Sequence, residues 1–409
     1  VPKRRFKEFT NTGTWEQREL GELATKIGSG KTPRGGSSVY TQSGIPLLRS
    51  QNIYDDKVSF EDVAFINDST DEDMANSRVN RGDVLLNITG ASIGRSAVYE
   101  LSATANVNQH VCIIRPSSNV HSYFIQLNLA SSEGQKQIEL NQAGGGREGL
   151  NFQQIAKMSF YYPSLEEQIK LGVFFQQLDN TIALHQRKLT LLKQLKQTYL
   201  QALFPQSELN IPTLRFARFS DSWEQRKVSS LAKETFGGGT PKTGVKKYWK
   251  GSFPWIQSSD LTTNQLHNVQ PTKFITEEAI KQSATHNVPG NSIAIVTRVG
   301  VGKLALMRSS YSTSQDFLSL SNLNVDAVFG VYCLYKMLQR EVNNIQGTSI
   351  KGITKADLLG KCVSVPTKVE EQVKIGAFFK KIDDTIDFHE SKLKHILELK
   401  KAFLEKMFL

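Results

Sequence analysis

The sequence predicts an α+β molecule: two pseudo-symmetric mixed α/β domains joined by two long antiparallel coiled-coil helices. Three observations predict it. Residues 167–204 and 371–408 are the same helix written twice, with Gln168, Gly172, Phe174, Phe175, Asp179, Thr181, Ile182, His185 and Phe204 returning as Gln372, Gly376, Phe378, Phe379, Asp383, Thr385, Ile386, His389 and Phe408. A looser repeat precedes each copy. Trp15-Glu-Gln-Arg, Thr32-Pro33, Gly82 and Gly94-Arg95 return as Trp223-Glu-Gln-Arg, Thr240-Pro241, Gly290 and Gly302-Lys303, at one offset of about 208 residues. Between these points the two segments differ almost completely and read as short apolar runs and turns. An internal repeat of this length fixes the architecture before any local reading. It describes a two-fold object on one chain, in which two segments of about 165 residues diverge while the helices do not.

Taken in order, the expected domains are 1–165, then 166–208 (the first long helix and a linker), 209–367, and 368–409 (the second long helix). The chain's 409 residues give each domain enough length to bury a core. In the variable segments, 83–90 and 292–300 read as strands leaving a glycine turn, and 110–116 and 361–366 as strands ending at proline. Residues 121–140 and 328–345 read as helices. On the first long helix Leu171, Phe175, Leu178, Ile182, Leu189, Leu192, Tyr199 and Leu203 fall on one stripe, with His185 and Lys196 filling its gaps. Ile375, Phe379, Ile382, Ile386, His389, Leu393, Ile396, Lys400, Phe403 and Met407 repeat it. Steps of four and three over about five heptads are a coiled-coil seam. Each helix is about 57 Å long at about 1.5 Å per residue. His185 and His389 read as packed seam histidines rather than metal ligands, since no Cys, Asp or Glu cluster accompanies them. The outer faces carry mixed Lys, Gln and Glu, a solvated surface that a partner could also use.

The formal net charge of +11 favours a polyanionic partner. No stretch approaches the 18 or so apolar residues of a membrane span, and no signal-peptide pattern opens the chain. Cys112, Cys333 and Cys362 are odd in number and scattered, which points to a reducing cytoplasm. The chain opens at Val1, so a trimmed initiator region is expected.

The candidate nucleic-acid contacts lie in the polar loops of the variable segments. In the first they are Lys31, Arg34, Arg49, Gln51, Arg81, Arg95, Gln109 and Arg147; in the second, Lys242, Lys246, Lys247, Lys250, Gln257, Arg298, Lys303, Gln315 and Lys351. Tyr40, Tyr248 and Trp249 are interleaved with them. Arg and Lys suit guanine edges and phosphates, Gln suits adenine, and glycine lets a backbone approach the polymer. Singly each is an ordinary surface residue; clustering in both halves is what raises the functional reading.

Several motifs fail on inspection. Gly28-Ser-Gly-Lys-Thr32 resembles the end of a P-loop, but Thr25 stands where the first glycine is needed and Pro33 where a helix should begin. Gly144, Gly146 and Gly149 spell GxGxxG without a βαβ context. Glu390-Ser-Lys392 and Glu398-Leu-Lys400 have a nuclease-like spacing but lie on the coiled coil, as surface charges. No methyltransferase Asn-Pro-Pro-Tyr, nucleophile elbow or metal triad is present in the sequence.

The whole chain resembles the specificity (S) subunit of type I restriction–modification enzymes. The likeness rests on the twin Trp-Glu-Gln-Arg openings and the glycine/Thr-Pro loops at 28–33 and 237–241. It also rests on Ile45-Pro-Leu-Leu and Phe253-Pro-Trp-Ile, and on the proline-then-Glu-Gln approach to each long helix at 163–168 and 366–372. The resemblance implies that the variable segments are target recognition domains, each reading half of a split DNA target. The helices would space the half-sites and dock two methyltransferase (M) subunits, which hold S-adenosylmethionine and methylate adenine N6. Restriction (R) subunits are an optional further partner, bringing ATP- and Mg-dependent translocation and cleavage. No cofactor is expected on this chain, and double-stranded DNA is its expected ligand. Readers in successive grooves lie about 34 Å apart, a distance the helices are long enough to set. Differing domains imply an asymmetric, non-palindromic target. A stand-alone DNA-binding regulator and a coiled-coil scaffold for two protein-binding modules remain the alternatives. A hidden enzyme has no constellation to support it.

Overall fold

The computed structural model describes residues 2–142, 149–206, 211–344 and 352–408. It divides into two compact units, residues 1–186 with 391–409, and residues 187–390. Each therefore combines a globular domain with part of both long helices. Chain order in the first is β1 (Glu16–Glu19), α1 (Leu20–Leu23), β2 (Ala24–Ser29), β3 (Ile45–Leu48), β4 (Ala64–Ile66), α2 (Asp68–Asp73), β5 (Arg78–Val79), β6 (Val84–Asn87), β7 (Ser96–Val98), β8 (Ala105–Val107), β9 (Val111–Pro116), α3 (Ser122–Ala130), α4 (Ser132–Gln142), α5 (Phe152–Ala156) and β10 (Ser159–Tyr162). The long helix α6 (Leu165–Ala202) follows. Then come β11 (Glu224–Lys227), β12 (Ala232–Gly237), β13 (Phe253–Ile256), β14 (Lys273–Ile275), α7 (Glu277–Lys281), β15 (Ser292–Val296), β16 (Leu304–Met307), β17 (Ser312–Thr313), β18 (Phe317–Leu323), α8 (Ala327–Asn344), α9 (Lys355–Gly360), β19 (Cys362–Val365) and the long helix α10 (Val369–Met407). Among the described residues no helix is long and apolar enough to cross a membrane.

The first domain holds sheets ordered β2-β9-β6-β7 and β4-β3-β8-β5; the second holds β12-β18-β15-β16 and β14-β13-β17. The runs VLLN and SIAIV form β6 and β15, inner strands buried along their whole length, which is why they read as unbroken apolar stretches. HVCIIRP becomes β9 beside β6. KCVSVP becomes β19, which pairs with β11 in a separate two-stranded sheet. In the first domain the matching sheet is β1 with β10, so each Trp-Glu-Gln-Arg buries its Trp and starts an exposed strand.

One expectation needs correction. Residues 121–140 form two helices, α3 and α4, not one. Ser131 is extended (φ −66°, ψ 161°), and its hydroxyl donates to Asn128 O while accepting from Gly134 N. That local bonding competes with helix continuation, and Gly134 packs so closely on Asn128 O that a Cβ there would lie 2.0 Å from it. The counterpart α8 runs unbroken.

Each long helix docks on its own domain through the repeated Glu-Gln…Gly signature. Arg5 grips Glu167 with two hydrogen bonds of 2.9 and 2.6 Å, and Arg215 grips Glu371 at 2.7 and 2.8 Å. Such forked charge-assisted pairs are the strong, orienting kind. Gln168 accepts from His121 N and donates to Pro163 O; Gln372 accepts from Asp326 N and donates to Pro366 O. A Cβ on Gly172 would lie 2.7 Å from His121, and one on Gly376 would lie 2.8 Å from Phe329 N, so larger residues would push helix from domain.

Inside each unit the two long helices run antiparallel, as expected. In the first, Phe174 meets Phe403 at 5.2 Å and Phe175 meets Phe408 at 5.9 Å, while Asp179 pairs with Lys400. In the second, Phe378 meets Tyr199 at 4.9 Å and Phe379 meets Phe204 at 6.0 Å, while Asp383 pairs with Lys196. The helix ends finish the cores: Phe408 lies against Trp15 and Phe124, and Phe204 against Trp223 and Phe329. Lys400 is thus no surface charge. It is mostly buried and bridges Asp179 and Asp56, because the seam supplies the one acid and the first domain's loop the other. Lys196 and His389 are likewise buried in the seam.

Candidate nucleic-acid interface

Each domain contains one parallel strand pair among its described strands, β3 with β8 and β13 with β17. Parallel strands end on the same side, so the residues that follow both become neighbours. Leu48 pairs with Val107 and Asn108 N donates to Leu48 O at 3.1 Å, which sets Arg49 beside Gln109. Ile256 pairs with Thr313 and Ser314 N donates to Ile256 O at 2.9 Å, which sets Gln257 beside Gln315.

The glycine/Thr-Pro loop lies against the same corner. A Cβ on Gly30 would stand 1.6 Å from Val107 O, and one on Gly238 1.7 Å from Ser314 O, so only glycine fits. Two residues further on, Thr32 donates its hydroxyl to Gln109 Oε1, and Thr240 donates to Gln315 Oε1 at 2.5 Å. The segment that resembles a P-loop is therefore strand β2 plus a loop that holds a glutamine.

Other candidates join the corner. The Arg49 guanidinium lies 5.9 Å from the Tyr40 ring and donates to Asp62 O, while Gln51 donates to Asp62 Oδ2 at 3.0 Å. In the second domain Lys273 Nζ donates to Gln257 Oε1 at 2.9 Å and lies over Trp249 and Trp255 at 5.9 and 5.6 Å. Asn87 Nδ2 ties the loop before Arg95 to Ser50 O at 2.8 Å, and Lys303 Nζ reaches Ser258 O at 3.1 Å. Arg298 lies beside Gln315 through the bond from Thr297 N to Asp316 O. Lys31, bonded to Asp73 O, and exposed Arg34 and Lys242 occupy the glycine/Thr-Pro loops. Lys246 and Lys247 lie on the turn 246–249, with Lys250 next to it, and Glu278 pairs with Lys247 at 2.6 Å and raises its pKa.

Some candidates stand apart. Arg81 precedes β6, at the opposite end of that strand from Asn87, beside the Asp83–Arg115 ion pair. Tyr248 is a core residue. Arg147 and Lys351 lie outside the described residues, as do Gly144 and Gly146. Leu150 N and Ile353 N donate to Ile88 O and Thr297 O, at the ends of β6 and β15. Sequence reasoning missed Lys273, Asp62 and Asn87, for which no motif gives a signal. The twice-written Thr-Pro was visible, but not its use as a clamp.

The long helices carry a second surface feature. Leu165, Ile169 and Val173, four residues apart, are 40%, 42% and 42% exposed; Val369 and Val373, at the repeated positions, are 57% and 47% exposed. The two long helices thus repeat an apolar face open to water at equivalent positions.

Two segments, residues 12–194 and 220–398, match the type I restriction modification DNA specificity domain. Across 406 residues the chain is 23% identical to the assigned specificity subunit of the MjaX type I restriction enzyme of Methanocaldococcus jannaschii, covering 95% of this chain and 92% of that protein. The crystal structure of a type I restriction–modification S subunit from M. genitalium matches with a TM-score of 0.69 at 13% identity, over 100% of this chain and 99% of the other. A chain from a study of complex assembly and conformational transition in the type I system matches with a TM-score of 0.52 at 16% identity, over 96% and 97% of the two chains. At such identities the two structural likenesses establish a common fold.

Proposed function

This chain belongs to the type I restriction–modification DNA specificity family, and on that premise we propose that it reads a bipartite, asymmetric DNA target, one half per domain, for methyltransferase subunits that carry the chemistry. The observation that carries the reading is the corner built twice at the ends of the parallel strands. There Arg49 and Gln109, and Gln257 and Gln315, stand side by side among basic loops. Arg and Gln are the side chains that pair with guanine and adenine edges, while the flanking cations take phosphates.

The two corners differ at the residues that read bases, Arg49 and Gln51 in one, Gln257 and Lys273 in the other, so the half-sites differ. The antiparallel helices set their separation and dock two methyltransferase subunits, one on each repeated apolar face at 165–173 and 369–373. Those subunits bind S-adenosylmethionine, extrude the adenine from the stack and methylate its N6. Restriction subunits with ATP and Mg extend the complex. The complex works inside the cell, on duplex DNA.

The test is to neutralise Arg34, Arg49 and Arg95 together in the assembled complex. Preference at one half-site should disappear while base substitutions in the other half-site keep their full penalty. A uniform loss at both half-sites contradicts the division of labour.

A further inference from the structure

Arg49 and Gln51 open the loop 49–63, which joins β3 to β4; Gln257 opens its counterpart 257–272, which leads to Lys273 of β14. One end of each loop therefore belongs to the corner described above. The far end of each is seated in the seam of the two long helices. In the first unit Asp56 accepts from Lys400 Nζ, which also pairs with Asp179. In the second unit Lys196 Nζ pairs with Asp383 and reaches Asn264 O at 3.4 Å. His267 of the same loop meets the Tyr332 hydroxyl at 3.1 Å, and that hydroxyl donates to Asp383 at 2.7 Å. Two loops that share almost no sequence reach the same seam pair.

Each loop is stiffened between its ends. Asn52 Oδ1 accepts from Arg49 N at 3.0 Å, its Nδ2 donates to Ser59 O at 3.2 Å, and Ser59 N donates to Asn52 O at 2.8 Å. In the second loop Asp260 accepts from Gln257 N at 2.9 Å and from the Thr272 hydroxyl at 2.6 Å. Both loops also bond an edge strand of the neighbouring sheet, Asp56 N to Ser96 O of β7, and Leu306 N of β16 to Leu266 O. A displacement at the far end is therefore passed to the corner.

The lysine that holds each loop comes from the helix on which that domain is not docked. The first domain docks on α6 through Glu167 and Gln168, yet α10 supplies Lys400. The second docks on α10 through Glu371 and Gln372, yet α6 supplies Lys196. The seam aspartate lies eleven residues beyond the docking glutamine in both helices, about 16 Å at about 1.5 Å per residue. One attachment leaves a domain able to pivot; a second at that distance, from the other helix, removes the pivot. A buried charge pair is a weak source of stability, so stability does not account for its being written twice.

We propose that Lys400 with Asp56, and Lys196 with Asn264 and His267, are positioning residues for DNA recognition. They hold each corner at a fixed place on the helix pair, so that half-sites are accepted at one separation in base pairs. This rests on the function proposed above, because it takes the corners as the DNA-reading surfaces. One base pair more or less moves a half-site by about 3.4 Å along the duplex and about 35° around it. A corner held at both ends of its loop cannot follow that movement.

The test uses the complete complex of this chain with its methyltransferase, and duplexes carrying its target with the native spacer or with one base pair added or removed. Asp56→Gly takes away the carboxylate, and glycine suits the left-handed backbone at that position (φ 73°). Lys400 keeps Asp179, so no charge is stranded. Base preference in both half-sites should be retained at the native spacer, while discrimination against the altered spacers falls about 10-fold, the worth of one hydrogen bond to a charged group. Asp56→Asn keeps an acceptor and the same backbone and should restore the discrimination. His267→Leu should relax the spacer in the same way from the second domain. Ile155→Val, which trims the first domain's core away from the loop, should lower stability and leave spacer preference unchanged. Unchanged discrimination in both the Asp56→Gly and His267→Leu complexes overturns the proposal, as does equal relaxation by Ile155→Val. Loss of base preference at the native spacer also overturns it, by making the far end of the loop part of the reading surface. If the unaltered complex methylates no bipartite motif, the function proposed above has failed instead.

Discussion

Lys196 Nζ lies 2.6 Å from Asp383 Oδ1, with both side chains almost closed to water. The seam of a coiled coil is a poor place for a charge, yet the repeat writes the pair twice, as Lys400 with Asp179 at 2.5 Å. The aspartate is part of the repeated helix signature, and each lysine answers the aspartate of the opposite helix. Tyr332 donates to the free oxygen of Asp383 at 2.7 Å, so its second oxygen is also satisfied.

Removing one partner should cost far more than removing both. Lys196→Met leaves Asp383 buried without its counter-charge, and denaturant unfolding should show a loss of roughly 3–5 kcal/mol. Lys196→Met with Asp383→Leu should recover most of it. Equal losses in the single and double variants would mean the two charges are not coupled.

Asp179 gives the first unit a distinctive pH response. Burial pushes its carboxyl up to about 6; Lys400 pulls it down, and the adjacent Asp56 charge pushes it up again. The folded value lies above the unfolded one, so this group's contribution is present at low pH and lost as pH rises from about 4 through 6. Asp56→Asn should lower the titration midpoint of Asp179, followed by carboxyl NMR, and flatten the fall in stability over that window.

His267 acts with the opposite sign. Burial, then the charges of Lys380, Arg308 and Lys196, lower its pKa to about 4. It stays neutral in the fold, next to Tyr332 at 3.1 Å. Its contribution is complete above about 6.5 and is lost as pH falls from there through 4. His267→Gln should remove that part of the acid limb in pH-dependent unfolding; an unchanged limb would place the acid sensitivity elsewhere.

The exposed apolar faces predict stoichiometry. Ile169→Glu with Val173→Glu should leave the chain folded and remove one methyltransferase subunit, and Val369→Glu with Val373→Glu should remove the other. Native mass spectrometry of each complex should then read one methyltransferase per chain in place of two. Retention of two by both variants would move the docking surface off these faces.

Much of this was legible in the amino-acid order because repetition is a global signal. Helix ends, seam and antiparallel sense follow from residues 167–204 and 371–408 alone. The broken helix at Ser131 escaped because its cause is a side-chain hydroxyl competing with the backbone, which leaves the apolar pattern intact. The candidate interface was half legible. Residue type singled out Arg49, Gln109, Gln257 and Gln315, but their meeting depends on β3–β8 and β13–β17 pairing across about 60 residues of chain. Lys273 could not be found, because its importance comes from Trp249, Trp255 and Gln257, brought to it by that pairing. Lys400 falls on the seam stripe, yet its Glu-Leu-Lys spacing also reads as a surface charge, and only the fold, which brings Asp56 to it, decides between the two.

The most direct measurement is to co-express the chain with its genomic neighbour methyltransferase and map N6-methyladenine on DNA exposed to the complex. Methylation confined to one bipartite, asymmetric motif, dependent on this chain, is the predicted result. Purified chain that binds a specific site alone, or a complex that neither forms nor methylates, would contradict it.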